Sequence, residues 1–370
     1  MSYTVQSIIT LNTTYNSSSI KFITVQSAIA LSMFQKLISQ SAGIPISLFS
    51  VAVGYLGLAL GYETLLQAIG FVWPLADVIF WIGSSVFWIG FFLFAGIAIV
   101  YFLKLLFHFK LCANELKNAS EGNFFSSISI SVILLGLMLY SLSPALSMML
   151  TVIGSILQFL IAIYIVSSWI YQEHWQVSDL NPAWFLPIVG LLLIPLGLPK
   201  TFPVELGWFF LSIGLTFWLI MFSLILYRLF FHPPLASYLE PTLFILIAPP
   251  ALGFIAYMTL TNQAGVFEVD LVARILFYTS LFLSFLLLSQ SFRFSKIPFS
   301  LASWSGVFPL TVMAIASLIM YQSLRLPLYS YLGVALLAAL SLTVLYFTVR
   351  TFIALKNGHL LILSREPEIE

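Results

Sequence analysis

Residue types that could do chemistry are sparse in this sequence, and their positions limit what they could do. The four histidines, His108, His174, His232 and His359, all fall at or beyond the ends of apolar stretches, which fits solvated interfacial side chains. The single cysteine, Cys112, lies in a polar connection and has no partner for a disulfide within the chain. There is no glycine-rich phosphate loop, no metal-spaced set of His, Cys, Asp and Glu, and no Ser or Cys nucleophile beside a base. The expectation is a protein that is not an enzyme and holds no metal or cofactor. What stands out instead is a set of helix breakers inside apolar runs: Pro187, Pro195, Pro249, Pro250 and Pro309. Each proline removes an N–H donor and leaves a carbonyl without its usual partner. In lipid such backbone is tolerated only where it is buried in protein or faces a wet cavity. Proline and glycine are also frequent in membrane helices generally, so any one of them alone fits ordinary packing too.

The elements that carry these breakers must be membrane helices. Charged residues make up 7% of the 370-residue chain and hydrophobic ones 61%, with a mean hydropathy of +1.07. A soluble domain carries about 25% charged residues. From Gly122 to Gln172 the chain runs 51 residues without Asp, Glu, Lys or Arg. At about 1.5 Å per residue that is more than twice the ~30 Å hydrocarbon core, so it holds two spans, folded back at "SLSPALS", 141–147. Apolar windows between polar or Gly/Pro-rich breaks give ten spans: 45–65, 77–107, 124–143, 145–171, 182–199, 205–230, 241–261, 269–291, 298–323 and 327–354. Connections after odd spans are short, and those after even spans are mostly longer and more polar, so the spans read as five successive helical hairpins. The expected division is 1–44 as an N-terminal extension, cytoplasmic or on the membrane surface, 45–355 as the transmembrane domain, and 356–370 as a cytoplasmic tail.

Charge fixes the orientation. With the termini and the connections after even spans on one side, that side holds eleven of the fourteen Lys and Arg; Lys200, Arg274 and Arg325 fall on the other. The positive-inside rule then places both termini in the cytoplasm. The Asn-x-Ser/Thr matches at Asn12, Asn16 and Asn118 fall on that side and carry no meaning there. No cleavable signal peptide is expected, and a net charge of +1 without a basic cluster points away from nucleic acid.

Odd and even spans differ in kind. The interior prolines lie only in odd spans, as do Gly54, Gly57, Gly61 and Gly190, while the aromatic-rich second and sixth spans are uninterrupted. The odd helices are therefore expected to line something and the even helices to wrap them. No ionisable residue falls in the middle of any span, so whatever crosses must be handled by backbone, hydroxyls and aromatic edges.

These stretches resemble the tellurite-resistance/dicarboxylate transporter family, which includes bacterial TehA and the plant guard-cell slow anion channels. The resemblance rests on "FSVAVGYLGLALGY" at 49–62, "IGSILQ" at 153–158, "NPAWFLPIVG" at 181–190, "LGWFFLSIG" at 206–214, "LEPTLFILIAPPALGFIAY" at 239–257 and "SLASWSGVFPLT" at 300–311, in order over nearly all of 45–355. It implies an all-α polytopic membrane protein of ten helices in five hairpins, odd helices around a central pore and even helices outside, assembled in the plasma membrane as a homotrimer with one pore per protomer. It further implies that Phe308, directly before Pro309, gates the pore, the alternative being a packed core ring. Phe49, Gly54, Pro187, Gly190, Pro249, Pro250 and Pro309 are the other expected pore-lining or kink positions. The implied partners are small anions and the lipid bilayer. The expected function is passage of small monovalent anions such as nitrate and chloride; a proton-coupled malate carrier or a sulfite exporter is the alternative within the same family. Two departures stand out: Ala52 occupies a position where the family often has proline, and the third span has no interior proline, Pro144 only closing its hairpin.

Overall fold

The computed structural model describes residues 35–70, 75–171, 175–198, 201–261, 268–297 and 299–356. The N-terminal extension through residue 34, His174, Lys200, His359 and the tail from 357 lie outside the described residues.

Helices stand at each of the ten expected positions. The long outer ones are α2 (Ala76–Phe107), α5 (Pro144–Tyr171), α7 (Val204–Phe231), α9 (Leu271–Leu288) and α11 (Pro327–Lys356). The inner ones are α1 (Phe49–Ile69), α4 (Ser126–Met138), α6 (Leu186–Gly197), α8 (Ala248–Thr261) and α10 (Val307–Leu324). An additional short helix, α3 (Phe109–Lys117), lies at 113° to the helix that starts at Gly122. Eight of these units are long and apolar enough to cross a membrane, while 122–138 and 182–197 are shorter. The chain is an all-α polytopic membrane protein.

Burial separates the two sets as the odd and even patterns suggest. The inner helices α1, α8 and α10 are mostly buried, whereas no more than 39% of α2, α5, α7, α9 or α11 is. The exposed side chains are large and apolar, among them Trp81 and Phe92 of α2, Phe282 of α9 and Leu342 of α11. That is an outer surface made for lipid rather than water. Each outer helix packs against the inner helix of its own hairpin, and the inner helices close a ring: α1 on α4, α4 on α6, α6 on α8, α8 on α10, and α10 back on α1.

All five inner helices begin in the same way, with a 3₁₀ segment running straight into the α-helix. These segments are Ile46–Leu48, Gly122–Phe125, Pro182–Phe185, Glu240–Ile247 and Leu301–Gly306. Pro45, Pro182 and Pro241 stand at or next to three of the starts, where a fixed φ and a missing N–H cost least. Asn181 caps its segment by accepting from the Ala183 N–H at 3.0 Å. The interior prolines sit one step later. Pro187 is the second residue of α6, Pro249 and Pro250 the second and third of α8, and Pro309 the third of α10. Placed there they mark the change from 3₁₀ to α rather than a mid-helix break; Pro195 alone lies deep in its helix. The helices without interior proline, α1 and α4, make the same change, so the departure at Ala52 leaves this feature intact.

Candidate functional site

At the axis of the ring, just beyond the 3₁₀ starts, lies a cavity of about 20 Å³ lined by all five inner helices and their 3₁₀ starts. The lining positions recur at a spacing of three: Ser50 and Val53, then Phe124, Ser127 and Ile130, then Leu186 and Val189, then Ile245 and Ala248, and last Ser305 and Phe308. A spacing of three keeps side chains on one face through a 3₁₀ turn and nearly so through the first α turn. Trp304 and Pro309 complete the lining; no acidic or basic side chain is among it, and its polar groups are the Ser50, Ser127 and Ser305 hydroxyls and the Trp304 indole. Ser50 donates to the Ser47 carbonyl at 2.6 Å and Ser305 to the Ala302 carbonyl at 2.5 Å, so each hydroxyl keeps acceptor capacity toward the cavity. A water needs roughly 10–15 Å³, so the space holds about one water and no hydrated ion. The axis is closed at this level.

Phe308, only 5% exposed, is one wall of that closure. Its position depends on α1. A β-carbon on Gly57 would fall 2.7 Å from Phe308 Cδ2, closer than side chains tolerate. The same stripe continues one turn either way: Gly54 faces Trp304 and Val307, and Gly61 faces Thr311 and Leu337. These glycines let α10 approach α1 and leave the space that the Phe308 ring fills. Trp304, itself in the cavity wall, anchors the start of α10, stacking on Tyr55 at 5.7 Å and donating its indole N–H to Thr351 Oγ1 of α11 at 2.9 Å.

Of the positions expected to line or kink the pore, the structure brings Phe308 and Pro309 to the cavity wall and sets the others beside it. Phe49 turns outward onto Phe94 and Tyr101 of α2, leaving Ser50 and Val53 at the axis. Gly54 packs on α10. Pro187 and Gly190 meet Gln158 of α5, while Leu186 and Val189 face the cavity. Pro249 and Pro250 follow the cavity-lining Ala248; nearby, Ser280 of α9 donates to the Ile247 carbonyl at 3.0 Å, an acceptor whose i+3 neighbour is Pro250 and has no N–H.

Gln158 is a residue the sequence reading passed over. Fully buried, it donates from Nε2 to the Pro187 carbonyl at 2.8 Å and accepts at Oε1 from Ser129 of α4 at 2.6 Å. It thereby ties an outer helix to two neighbouring inner ones. Its signal was a lone amide in the middle of a 28-residue apolar helix, a group that must find partners in a low-dielectric setting.

Below the cavity opens a larger vestibule of about 710 Å³, bounded by the residues that precede four of the five 3₁₀ starts: Gly43 and Pro45, Asn118 to Glu121, Ser178 to Asn181, and Tyr238 and Leu239. Lys104 lies in its wall, only 2% exposed; a lysine so near a helix end would be expected to snorkel to water, and here it is paired inside. Its ammonium meets Glu115 Oε1 at 2.5 Å and donates to the Ile44 carbonyl at 2.7 Å, while the Tyr101 hydroxyl donates to Glu115 Oε2 at 2.8 Å. The carboxylate comes from α3, which folds back after the break at His108. Arg228, at the end of α7, is a second buried cation in this wall and donates to the Pro233 carbonyl at 2.7 Å.

Comparison with known proteins agrees with this architecture. An uncharacterized transporter of Methanocaldococcus jannaschii is 22% identical, covering 66% of this chain and 77% of its own length. The S-type anion channel SLAH2 of Arabidopsis thaliana is 29% identical over 68% of this chain, which spans about half, 48%, of that longer protein. The tellurite resistance protein TehA homolog of Haemophilus influenzae is 27% identical over 74% of this chain and 82% of its own length. The family model described as SLAC1, voltage-dependent anion channel, matches residues 43–352, from just before the first 3₁₀ turn to the last turns of α11, and the chain belongs to that family.

Proposed function

We propose that this protein conducts small monovalent anions, such as nitrate and chloride, along the axis of its inner ring, and that Phe308 is the group that closes the path. The observation carrying this reading is the axial cavity: five helices contribute to it, nothing ionisable lines it, and the Phe308 ring forms its wall. Helix dipoles favour an anion over a cation, set against a vestibule wall of mixed charge, Lys104 and Arg228 with Glu115, Glu121 and Asp179. The inner helices all start at the same end of the bundle, so their positive dipole ends gather around the vestibule. With no fixed cation at the constriction, selectivity follows the cost of dehydration, and weakly hydrated anions pass best. The concentration of Lys and Arg supports a vestibule on the cytoplasmic side. Each copy of the chain has its own axis, so the reading holds for a trimer or any other copy number.

The test is current across planar bilayers containing purified protein, comparing wild type with Phe308→Ala in nitrate, chloride and malate. A severalfold or larger rise in nitrate current on removing the ring supports a channel closed by Phe308. Two electrically silent proteins whose liposomes take up malate under a pH gradient would establish the coupled carrier instead.

A further inference from the structure

A second cavity, of about 400 Å³, lies on the outer side of α10, away from the axis. It opens between the outer helices α9 and α11, near the end of the bundle where the inner helices begin. Its walls are apolar: Phe244, Phe294, Val307, Leu310, Leu340 and Phe347 make most of the surface. This is the size and character of a site for a small apolar ligand, and such sites form between helices of bundles. The helices on either side present Phe282, Phe285, Leu342 and Leu345 outward, so an occupant reaches it from the bilayer rather than from water.

The rim of this cavity is basic. The Arg350 guanidinium lies 5.7 Å from the Phe299 ring and 5.9 Å from the Tyr346 ring, and both rings line the cavity. Lys296, next to the lining residue Ile297, rests its ammonium 4.2 Å over the exposed Phe292. Arg293 is already taken, as its guanidinium holds both oxygens of Glu240 at 3.0 Å. No carboxylate lines the cavity, so Lys296 and Arg350 face no counter-charge among the described residues. They stand where the connection between α9 and the start of α10 runs along the end of the bundle, at headgroup level for a bilayer that covers the outer helices.

We propose that this cleft binds an anionic phospholipid, an acyl chain lying along Leu310 and Leu340 and the phosphate meeting Lys296 and Arg350. Apolar walls alone would accept any lipid tail; the two cations at one end select a negative headgroup. The cleft reaches Gly306, Val307 and Leu310, which bracket Phe308 on α10, so the bound chain braces the helix from the side opposite the axis. The binding site itself does not depend on what crosses the pore.

Native mass spectrometry of delipidated protein, titrated with phosphatidylglycerol or phosphatidylcholine, tests this directly. Wild type should retain phosphatidylglycerol on the order of tenfold better. The surface double variant Lys296→Gln/Arg350→Gln should lose that preference. Thr343→Trp, which fills the cleft from a partly exposed position, should abolish tight binding of either lipid. An unchanged phosphatidylglycerol preference in both variants would overturn the proposal. So would a loss of oligomer mass in Thr343→Trp with lipid binding intact, which would make a second copy of the chain the occupant.

Discussion

The Phe308 ring occupies the space that a side chain at Gly57 would need, with Cδ2 only 2.7 Å from where a β-carbon on Gly57 would stand. The position of the Phe308 ring in the cavity wall therefore depends on what α1 lacks. Because Gly57 is followed a turn later by Gly61 and preceded by Gly54, α10 has a groove rather than a ridge to sit against along this stretch. The ring cannot leave the axis toward α1 without colliding with backbone.

Gly57→Ala should therefore destabilise the protein by about 1–3 kcal/mol, the usual cost of overpacking a filled core. The same substitution made in Phe308→Ala should cost much less, because the colliding ring is gone. A double-mutant cycle on thermal stability in detergent reads the coupling, expected at roughly 1 kcal/mol or more. Additive losses would mean that the two residues are not in contact in the protein.

Gln158 should behave as a tie rather than as filler. Gln158→Leu removes a donor from the buried Pro187 carbonyl and an acceptor from the Ser129 hydroxyl, with an expected loss of about 1–3 kcal/mol. The shape is nearly conserved, so a loss of that size reports the hydrogen bonds and not a cavity. Adding Ser129→Ala should change little, because the Ser129 hydroxyl falls back on the Ser126 carbonyl, 3.0 Å away; the unpaired group is the Pro187 carbonyl. A large recovery in the double variant would instead place the cost at Ser129.

The helices could be read from the sequence and the faces they present could not. An apolar run in lipid must become a helix, since every N–H and C=O has to be satisfied within the segment. Hence the span expected at 182–199 is found at 182–197, and the one at 269–291 contains α9, Leu271–Leu288. Rotation about the helix axis is another matter. A 3₁₀ segment turns through 120° per residue and an α-helix through 100°, so a few residues of 3₁₀ displace the predicted face by about one position. Phe49, Pro187 and Gly190 were expected as pore-lining or kink positions; the cavity itself is lined by their neighbours Ser50 and Val53, Leu186 and Val189. Phe308 reached the cavity because the resemblance supplied it, not because any period did. The pair Lys104 and Glu115 was hidden for a different reason. It forms across a chain reversal at His108, and no spacing rule anticipates where α3 goes after its break.

That buried pair makes its own prediction. Lys104→Met leaves the Glu115 carboxylate, 13% exposed, with only the Tyr101 hydroxyl to answer it. Removing one member of a buried ion pair costs about 3–5 kcal/mol, whereas replacing both by apolar or neutral groups is often nearly neutral. The double variant Lys104→Met/Glu115→Gln should accordingly melt closer to wild type than Lys104→Met does. If the single variant melts like wild type, the pair is open to water and contributes only what an exposed bridge would.

Asp270 gives the protein a pH dependence of known sign. It caps α9, accepting from the Ala273 N–H at 2.9 Å and from the Tyr257 hydroxyl of α8. Partial burial pushes its carboxyl up, but the Ala273 N–H and the Tyr257 hydroxyl outweigh this and hold it below the usual value of 3.8. A carboxyl whose folded value is depressed stabilises the fold fully above its unfolded value, and that stabilisation disappears as the pH falls through the folded value. Asp270→Asn should therefore cost about 0.5–2 kcal/mol at neutral pH, the range for a helix cap, moderated by the exposure of this one. The gap between wild type and variant should stay constant from neutral pH down to about 5 and close only in more acid solution, below the usual carboxylate range. Melting curves of both proteins at stepped pH measure it. A gap that instead widens on acidification would mean that the protonated form of Asp270 is the one the fold prefers, and that the Tyr257 hydroxyl accepts the bond instead of donating it.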